Sequence, residues 1–328
     1  MIAASGASKA LLREEFPSLT FIELPGYDIK VGKNRTDTIF RMMGSIPKIL
    51  IRIKRERAWL KAFVGRERVD LVISDNRYGL AMSNVVCVFI THQLVIRTPF
   101  GGWADALLQR MNYRLIRRFS GCWIPDVEND GGLAGALSHP AKFPSIPVRY
   151  IGWLSRFAAR PVPETGGYIL VLLSGPEPQR TLFETLILRQ ASGCPFRIVL
   201  VRGLPGGGRL PAAVPPGVIL HDHLSAKELE PVIGKAELVI ARSGYSTVMD
   251  LMRMGKRAVF VPTPGQTEQE YLGRWLAERG RGVCVGQSGF SLAAAVDAAR
   301  GFSFRPLVEE DGARLRSAVA EIVGGGTG

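Results

Sequence analysis

At 328 residues, with 46% hydrophobic and 22% charged side chains, the chain has ample apolar material for a core, which excludes disorder and predicts one large or two medium domains. The 42 Lys and Arg against 29 Asp and Glu leave a formal charge of +13, an excess that predicts an anionic partner: nucleic acid, membrane headgroups or phosphorylated substrates. No apolar run approaches the roughly 18–20 residues that span a bilayer, and the first residues lack the basic and apolar regions of a signal peptide.

In chain order, a strand is predicted at 20–24, followed by a basic stretch. Residues 30–68 hold 12 Lys and Arg against Asp37, Glu56 and Glu67. A helix is predicted over 45–64, capped by Ser45 with Pro47 in its first turn. Ile46, Leu50, Ile53, Leu60 and Val64 form its core stripe, with Arg57 at the missing step. Ile49, Ile51, Trp59 and Phe63 are left over among lysines and arginines, a pattern that suits an anionic membrane surface as well as a plain solvated face. Nucleic acid is not expected, because no reading helix or stacking motif accompanies the charge. Further strands are predicted at 70–74, 85–91, 122–124 and 148–151, with a helix at 103–119.

Residues 157–167 carry two prolines and a Gly-Gly and make the best domain boundary, giving domains 1–157 and 158–328. Of the +13, the first domain carries 23 basic and 13 acidic residues, a net +10, and the second 19 and 16, a net +3. Beyond the boundary, strands are predicted at 168–173, 197–201, 218–220, 237–241, 258–261 and 282–285. Helices are predicted at 180–190, 226–234, 246–254, 267–279, 291–299 and, terminally, 306–323. Continuous Val/Ile/Leu runs mean strands buried on both faces, and their alternation with helices means parallel α/β sheets. Two such Rossmann-like domains facing across a cleft would bind ligand at the carboxyl ends of their strands. Cys87, Cys122, Cys194 and Cys284 are scattered and read as free thiols in a reducing cytoplasm. The four histidines show no metal-ligand spacing, although His221 and His223 could pair on an ion.

Two turns carry chemistry. Ser174-Gly175 follows a strand and precedes a helix, which offers backbone N–H groups to an anion. Arg242-Ser243-Gly244-Tyr245-Ser246-Thr247 is a second turn of this kind, with Arg242 able to fork onto phosphate oxygens. Two such turns suit a diphosphate. Asp250, one helical turn further on, could accept both hydroxyls of a ribose or simply favour the helix dipole. Glu268, Gln269 and Glu270 could bind sugar hydroxyls, or Thr267 and Glu270 could form a capping box.

The stretch Ala-Arg-Ser-Gly-Tyr-Ser-Thr-Val-Met-Asp at 241–250, followed by Val-Pro-Thr-Pro-Gly-Gln-Thr-Glu-Gln-Glu-Tyr at 261–271, resembles the nucleotide-sugar half of glycosyltransferase family 28. The first half is similar to a branch of the same superfamily through Asp70–Gly79, Phe89–Gln93 and Trp123–Asp126. The resemblance implies a B-type glycosyltransferase fold, an acceptor domain followed by a donor domain, with the terminal helix packing back across the junction. It implies transfer of a sugar, N-acetylglucosamine first, from a UDP-sugar to a lipid-linked or envelope glycan acceptor. Transfer would be inverting, without metal or cofactor, in the cytoplasm or peripherally on the inner face of the membrane.

Residue by residue, the resemblance places Ser174, Gly175 and Ser243 through Thr247 at the diphosphate and Asp250 at the ribose. It places Glu268, Gln269 and Glu270 at the sugar, Arg156 near the nucleotide and Leu224 at the base. The family's opening strand and histidine-bearing glycine loop have no counterpart, because Ile2–Lys9 resembles its second strand and turn. His92 and Asp75 are then the acid/base candidates. A non-catalytic nucleotide-binding relative and a UDP-sugar 2-epimerase stay open as alternatives.

Overall fold

The computed structural model describes residues 1–26, 46–98, 101–158, 167–211, 213–305 and 312–324. They form two compact units. In one, residues 46–154 are joined by 23–26 and 312–324; in the other, 155–305 are joined by 1–22. The basic residues at 30–41 and most of the boundary segment (159–166) lie outside the described residues.

The chain opens with β1 (Ile2–Ala4), α1 (Gly6–Glu15) and β2 (Phe21–Glu23), in which the two strands pair. The turn expected after Ile2–Ala4 is thus a helix of ten residues. Next come α2 (Ile46–Val64), β3 (Leu71–Asp75), β4 (Val86–Ile90), α3 (Gly102–Ile116), β5 (Gly121–Ile124) and β6 (Val148–Tyr150). Strands β3 to β6 make a four-stranded sheet in chain order, parallel throughout, with Asp75 opposite Ile90 and Cys122 opposite Val148. Alternate side chains of β4 face opposite sides, as a pleated strand requires. Cys87 and Phe89 join Leu94, Ile116, Phe119 and Ile124 on one face. Val88 and Ile90 join Trp123 and Ile151 on the other.

The predicted core stripe of α2 needs one correction. Its buried positions are Ile53, Glu56 and Leu60, while Arg57 is exposed and Leu50 is 41% exposed. Glu56 can sit fully buried because Arg77 Nη1 donates to it at 2.9 Å and the Gly79 N–H at 3.2 Å. Gly79 has no room for a side chain, since a Cβ would lie 2.4 Å from that of Glu56.

The other unit holds β7 (Tyr168–Leu172), α4 (Gln179–Ala191), β8 (Arg197–Val201), β9 (Val218–His221), α5 (Ala226–Lys235), β10 (Leu238–Ala241) and α6 (Tyr245–Arg253). It continues with β11 (Ala258–Phe260), α7 (Thr267–Glu278), β12 (Val283–Cys284) and α8 (Leu292–Arg300). Its six strands lie in the order β9-β8-β7-β10-β11-β12, all parallel. The central strands are buried on both faces: Ile169, Leu170, Val171, Val239, Ile240 and Val259 are all fully enclosed. The order doubles back between β7 and β10, which makes that junction the topological switch point of the sheet.

After α8 the described chain resumes in the terminal helix α9 (Ala313–Gly324). It belongs to the β3–β6 unit, where Leu315, Ala318, Val319 and Ile322 pack on Val88, Ile90, Trp123 and Ile151. Arg149 holds it there through Glu321 and, at 2.9 Å, Ser317.

Candidate functional site

At the switch point, Leu172 stands opposite Ala241 at the carboxyl ends of two neighbouring strands. The turns that leave them are the two singled out from sequence. After β7, Ser174 is half-buried and Gly175 adopts φ +94°, a left-handed conformation that L side chains avoid, with open space where a Cβ would be. After β10, Gly244 is the N-cap of α6 and gives its first turn no side-chain partner. Gly244 has an ordinary φ of −71°, and a Cβ there would touch nothing. Neither backbone strain nor packing against this chain therefore demands glycine. What glycine does is leave clear space before the first turn and positive dipole of α6, with Ser246 exposed and Thr247 half-buried beside it.

Arg242 does not reach this space, contrary to expectation. Its side chain is 1% exposed; Nη1 donates to the carbonyls of Val261 (3.0 Å) and Pro262 (3.3 Å), and Nη2 to those of Gln179 (3.1 Å) and the Gln287 side chain (2.7 Å). The guanidinium also lies 4.5 Å from the Phe183 ring centre. Burial lowers its pKa to about 10, so it stays charged at neutral pH beneath the turn. Arg242 ties the turn after β10 to the start of α4 and to the segments after β11 and β12. Gln179 and Gln287 escaped sequence analysis because nothing in their spacing marks them as partners of Arg242.

Other expected donor residues are similarly engaged. Ser243 is fully buried and donates to the Gln269 carbonyl at 2.7 Å. The Gln269 side chain accepts from the Thr263 N–H (2.9 Å) and donates to Gln266 (2.6 Å). Glu270 accepts from the Gly265 N–H at 3.0 Å. These bonds shape the turn before α7, whose N-cap is Gln266, so the Thr267–Glu270 capping box is replaced. Glu268 and Tyr245 lie in the first turns of α7 and α6, the one half-buried and the other 4% exposed. Leu224, also half-buried, precedes Ser225, the N-cap of α5.

Asp250 and Arg156 are brought together, with Arg156 Nε 3.4 Å from Asp250 Oδ2, and Ser155 Oγ donates to Asp250 Oδ1 at 2.7 Å. Burial raises the Asp250 pKa, against the opposing hydrogen bond from Ser155 and charge of Arg156. A carboxyl raised in the folded state stabilises the fold most when protonated, below its ordinary value of 3.8, and that contribution is lost as pH rises through the folded value. Asp250→Asn keeps an acceptor for Ser155 and removes the buried charge. The Tm of the variant relative to the native protein is therefore expected to rise between about pH 4 and pH 7. A difference that stays flat over that interval, measured by thermal unfolding, contradicts the shift.

In the β3–β6 unit, Asp75 ends β3 and His92 follows β4, its neighbour in the sheet. Burial raises the Asp75 pKa, while the His92 charge and a 3.2 Å hydrogen bond from Asn76 oppose the rise. The two acid/base candidates thus share one end of one sheet. Among the described residues no cluster of His, Cys, Asp and Glu is disposed to hold a metal ion.

Residues 225–316 match the glycosyltransferase family 28 C-terminal domain. Two relatives each bear the name UDP-N-acetylglucosamine–N-acetylmuramyl-(pentapeptide) pyrophosphoryl-undecaprenol N-acetylglucosamine transferase. That of Alcanivorax borkumensis is 32% identical over 166 residues, covering 48% of this chain and 46% of the relative. That of Acidiphilium cryptum is 30% identical over 174 residues, covering 51% and 46%. The matched part of the chain thus spans about half the length of these relatives. Among solved structures, the glycotransferase of kitacinnamycin gives a TM-score of 0.61 at 16% identity, over 99% of this chain and 87% of that one. The calicheamicin glycosyltransferase CalG4 gives 0.61 at 14%, over 99% and 91%. The fold is the B-type glycosyltransferase fold, with its two Rossmann-like α/β units.

Proposed function

We propose that this chain, which carries a family 28 glycosyltransferase C-terminal domain on a B-type fold, moves a sugar from a UDP-sugar to a lipid-linked or cell-envelope glycan acceptor. N-acetylglucosamine is the first sugar to test. The observation that carries the proposal is the pair of open glycine turns at the β7/β10 switch point, set before the uncapped start of α6.

In this proposal the diphosphate lies between the Ser174–Gly175 turn and the first amides of α6, with Ser246 and Thr247 beside it. Ribose hydroxyls take the place of Ser155 at Asp250, near Arg156, and the base lies at the Leu224 turn. Glu268, Gln269 and Glu270 face the sugar. The acceptor hydroxyl attacks the anomeric carbon as its bond to the diphosphate oxygen breaks; configuration inverts, and UDP leaves with the bonding electrons. His92, beside Asp75, takes the acceptor proton. The helix dipole and amides meet the charge developing on the leaving diphosphate, so that the step needs no metal ion.

An acceptor of this class brings the protein to the inner face of a membrane. No described helix is long and apolar enough to cross one. The outer face of α2 instead presents Leu50 and Ile51, 41% and 52% exposed, among exposed Lys48, Lys54 and Arg55, as an interfacial helix does.

The test combines the chain, UDP-N-acetylglucosamine and a polyprenyl-pyrophosphate-linked sugar in anionic vesicles. UDP release that depends on the acceptor, with vesicle binding that weakens as salt rises, is the expected result. Conversion of the sugar nucleotide without acceptor would assign an epimerase instead, and tight UDP binding without turnover a non-catalytic relative. No shift in Tm with any UDP-sugar would overturn the donor assignment altogether.

A further inference from the structure

Five charged side chains form a continuous ladder along the carboxyl ends of β7, β8 and β9. Glu177, in the turn after β7, meets Arg180 at 2.6 Å; Arg180 meets Glu184 at 2.6 Å. Glu184 meets Arg202, just past β8, at 2.6 Å, and Arg202 meets Asp222, just past β9, at 2.6 Å. Acid and base alternate throughout, and the three central residues, Arg180, Glu184 and Arg202, are 6%, 3% and 4% exposed. The remaining guanidinium contacts of Arg180 go to Thr181 Oγ1 (2.7 Å) and the Arg202 carbonyl (3.5 Å), and that of Arg202 to the Arg209 carbonyl (2.9 Å).

The backbone around the ladder is equally constrained. The Leu173 N–H donates to Val201, the Arg202 N–H to His221 and the Leu204 N–H to Asp222, at 2.9, 2.8 and 2.7 Å, so pairing continues past the strand ends. Gly203, at φ +70°, presses so closely that a Cβ would lie 2.5 Å from the Leu173 carbonyl oxygen.

A buried charge is a poor source of net stability, because desolvation offsets its pairing. Its geometric effect is firmer: planar guanidinium forks hold their carboxylates in fixed directions. One end of the ladder is two residues from Gly175, and the other is two residues from Leu224.

We infer that the Glu177–Arg180–Glu184–Arg202–Asp222 ladder is a positioning device that fixes the span between the turn after β7 and the turn after β9, and so couples recognition of a diphosphate to recognition of the attached base. The inference rests on the donor site proposed above. Glu184 is its centre, acting through both arginines and touching no ligand itself. When the ladder is loosened, each half of the ligand still finds its own turn, but the two turns no longer stand at the distance that one UDP molecule requires.

The experiment measures binding of uridine, inorganic pyrophosphate and UDP to the native protein, to Glu184→Gln and to Asp222→Asn. Asp222, 35% exposed, provides a variant that folds even where Glu184→Gln does not. In both variants UDP is expected to weaken by about fivefold or more, the lower end of measured site-to-site couplings, while uridine and pyrophosphate each change by less than about twofold. Equal weakening of all three ligands means a merely structural ladder and overturns the inference, as does no weakening of UDP. A native protein that binds no UDP overturns the donor site and the coupling with it. UDP bound alike by native protein and variants overturns the coupling alone.

Discussion

Arg242→Met is expected to lower stability by about 3–5 kcal/mol, because four acceptors lose their donor at roughly 1 kcal/mol each and the packing on Phe183 is weakened as well. The acceptors lie on separate segments: Gln179 at the start of α4, Val261 and Pro262 after β11, and Gln287 after β12. Methionine has a comparable reach, so the loss reports the missing hydrogen bonds more than a cavity. Arg242→Lys should fall between, since an ammonium cannot serve both pairs of oxygens at once. Urea unfolding at pH 7 measures both. A loss below about 1 kcal/mol for Arg242→Met would mean that water replaces the guanidinium without difficulty. Activity lost in this variant reports a collapsed scaffold under the turn, not a missing phosphate contact.

Gly244→Ala should behave in the opposite way. The backbone there suits any residue and the added methyl meets no atom of this chain, so Tm should hold or rise slightly through reduced freedom of the unfolded chain. The methyl would, however, stand in front of the α6 amides. Forcing a methyl-sized group into an occupied space typically costs about 1–3 kcal/mol, which corresponds to a loss of roughly 5- to 150-fold in UDP affinity. Calorimetric titration of the two proteins with UDP decides the matter. Unchanged affinity would remove the start of α6 from the donor site. Together the two variants separate a residue that builds the turn from one that leaves it empty.

The contrast also shows what was readable in advance. Strand β7 was legible because Tyr168–Leu172 is a continuous apolar run bounded by Gly-Gly and Ser-Gly, and the β–turn–helix rhythm that follows admits few other folds. Residue types at the turns were legible for the same reason. The partners were not. Asp250 meets Ser155 across 95 positions and Arg242 meets Gln179 across 63, and no periodicity reports contacts of that range. In α2, a charge had to fall on the core stripe, but whether Glu56 or Arg57 turned inward was decided by Arg77, 21 residues further on. Helix α1 went unread because Gly6-Ala-Ser is a weak helix start, without an acidic residue in its first turn. Arg180 and Glu184 stand at helical i, i+4 spacing, which usually marks a solvent-facing pair; only the sheet order buries them.

The return of α9 to the β3–β6 sheet has a bearing on how the protein is made. Val88, Ile90, Trp123 and Ile151 are covered by side chains from Leu315 to Ile322, well over a hundred residues later in the sequence. During translation that apolar surface emerges well over a hundred residues before the helix that covers it. Folding of this unit therefore cannot finish vectorially, and nascent chains pass through a window in which a sticky sheet face waits for its last helix.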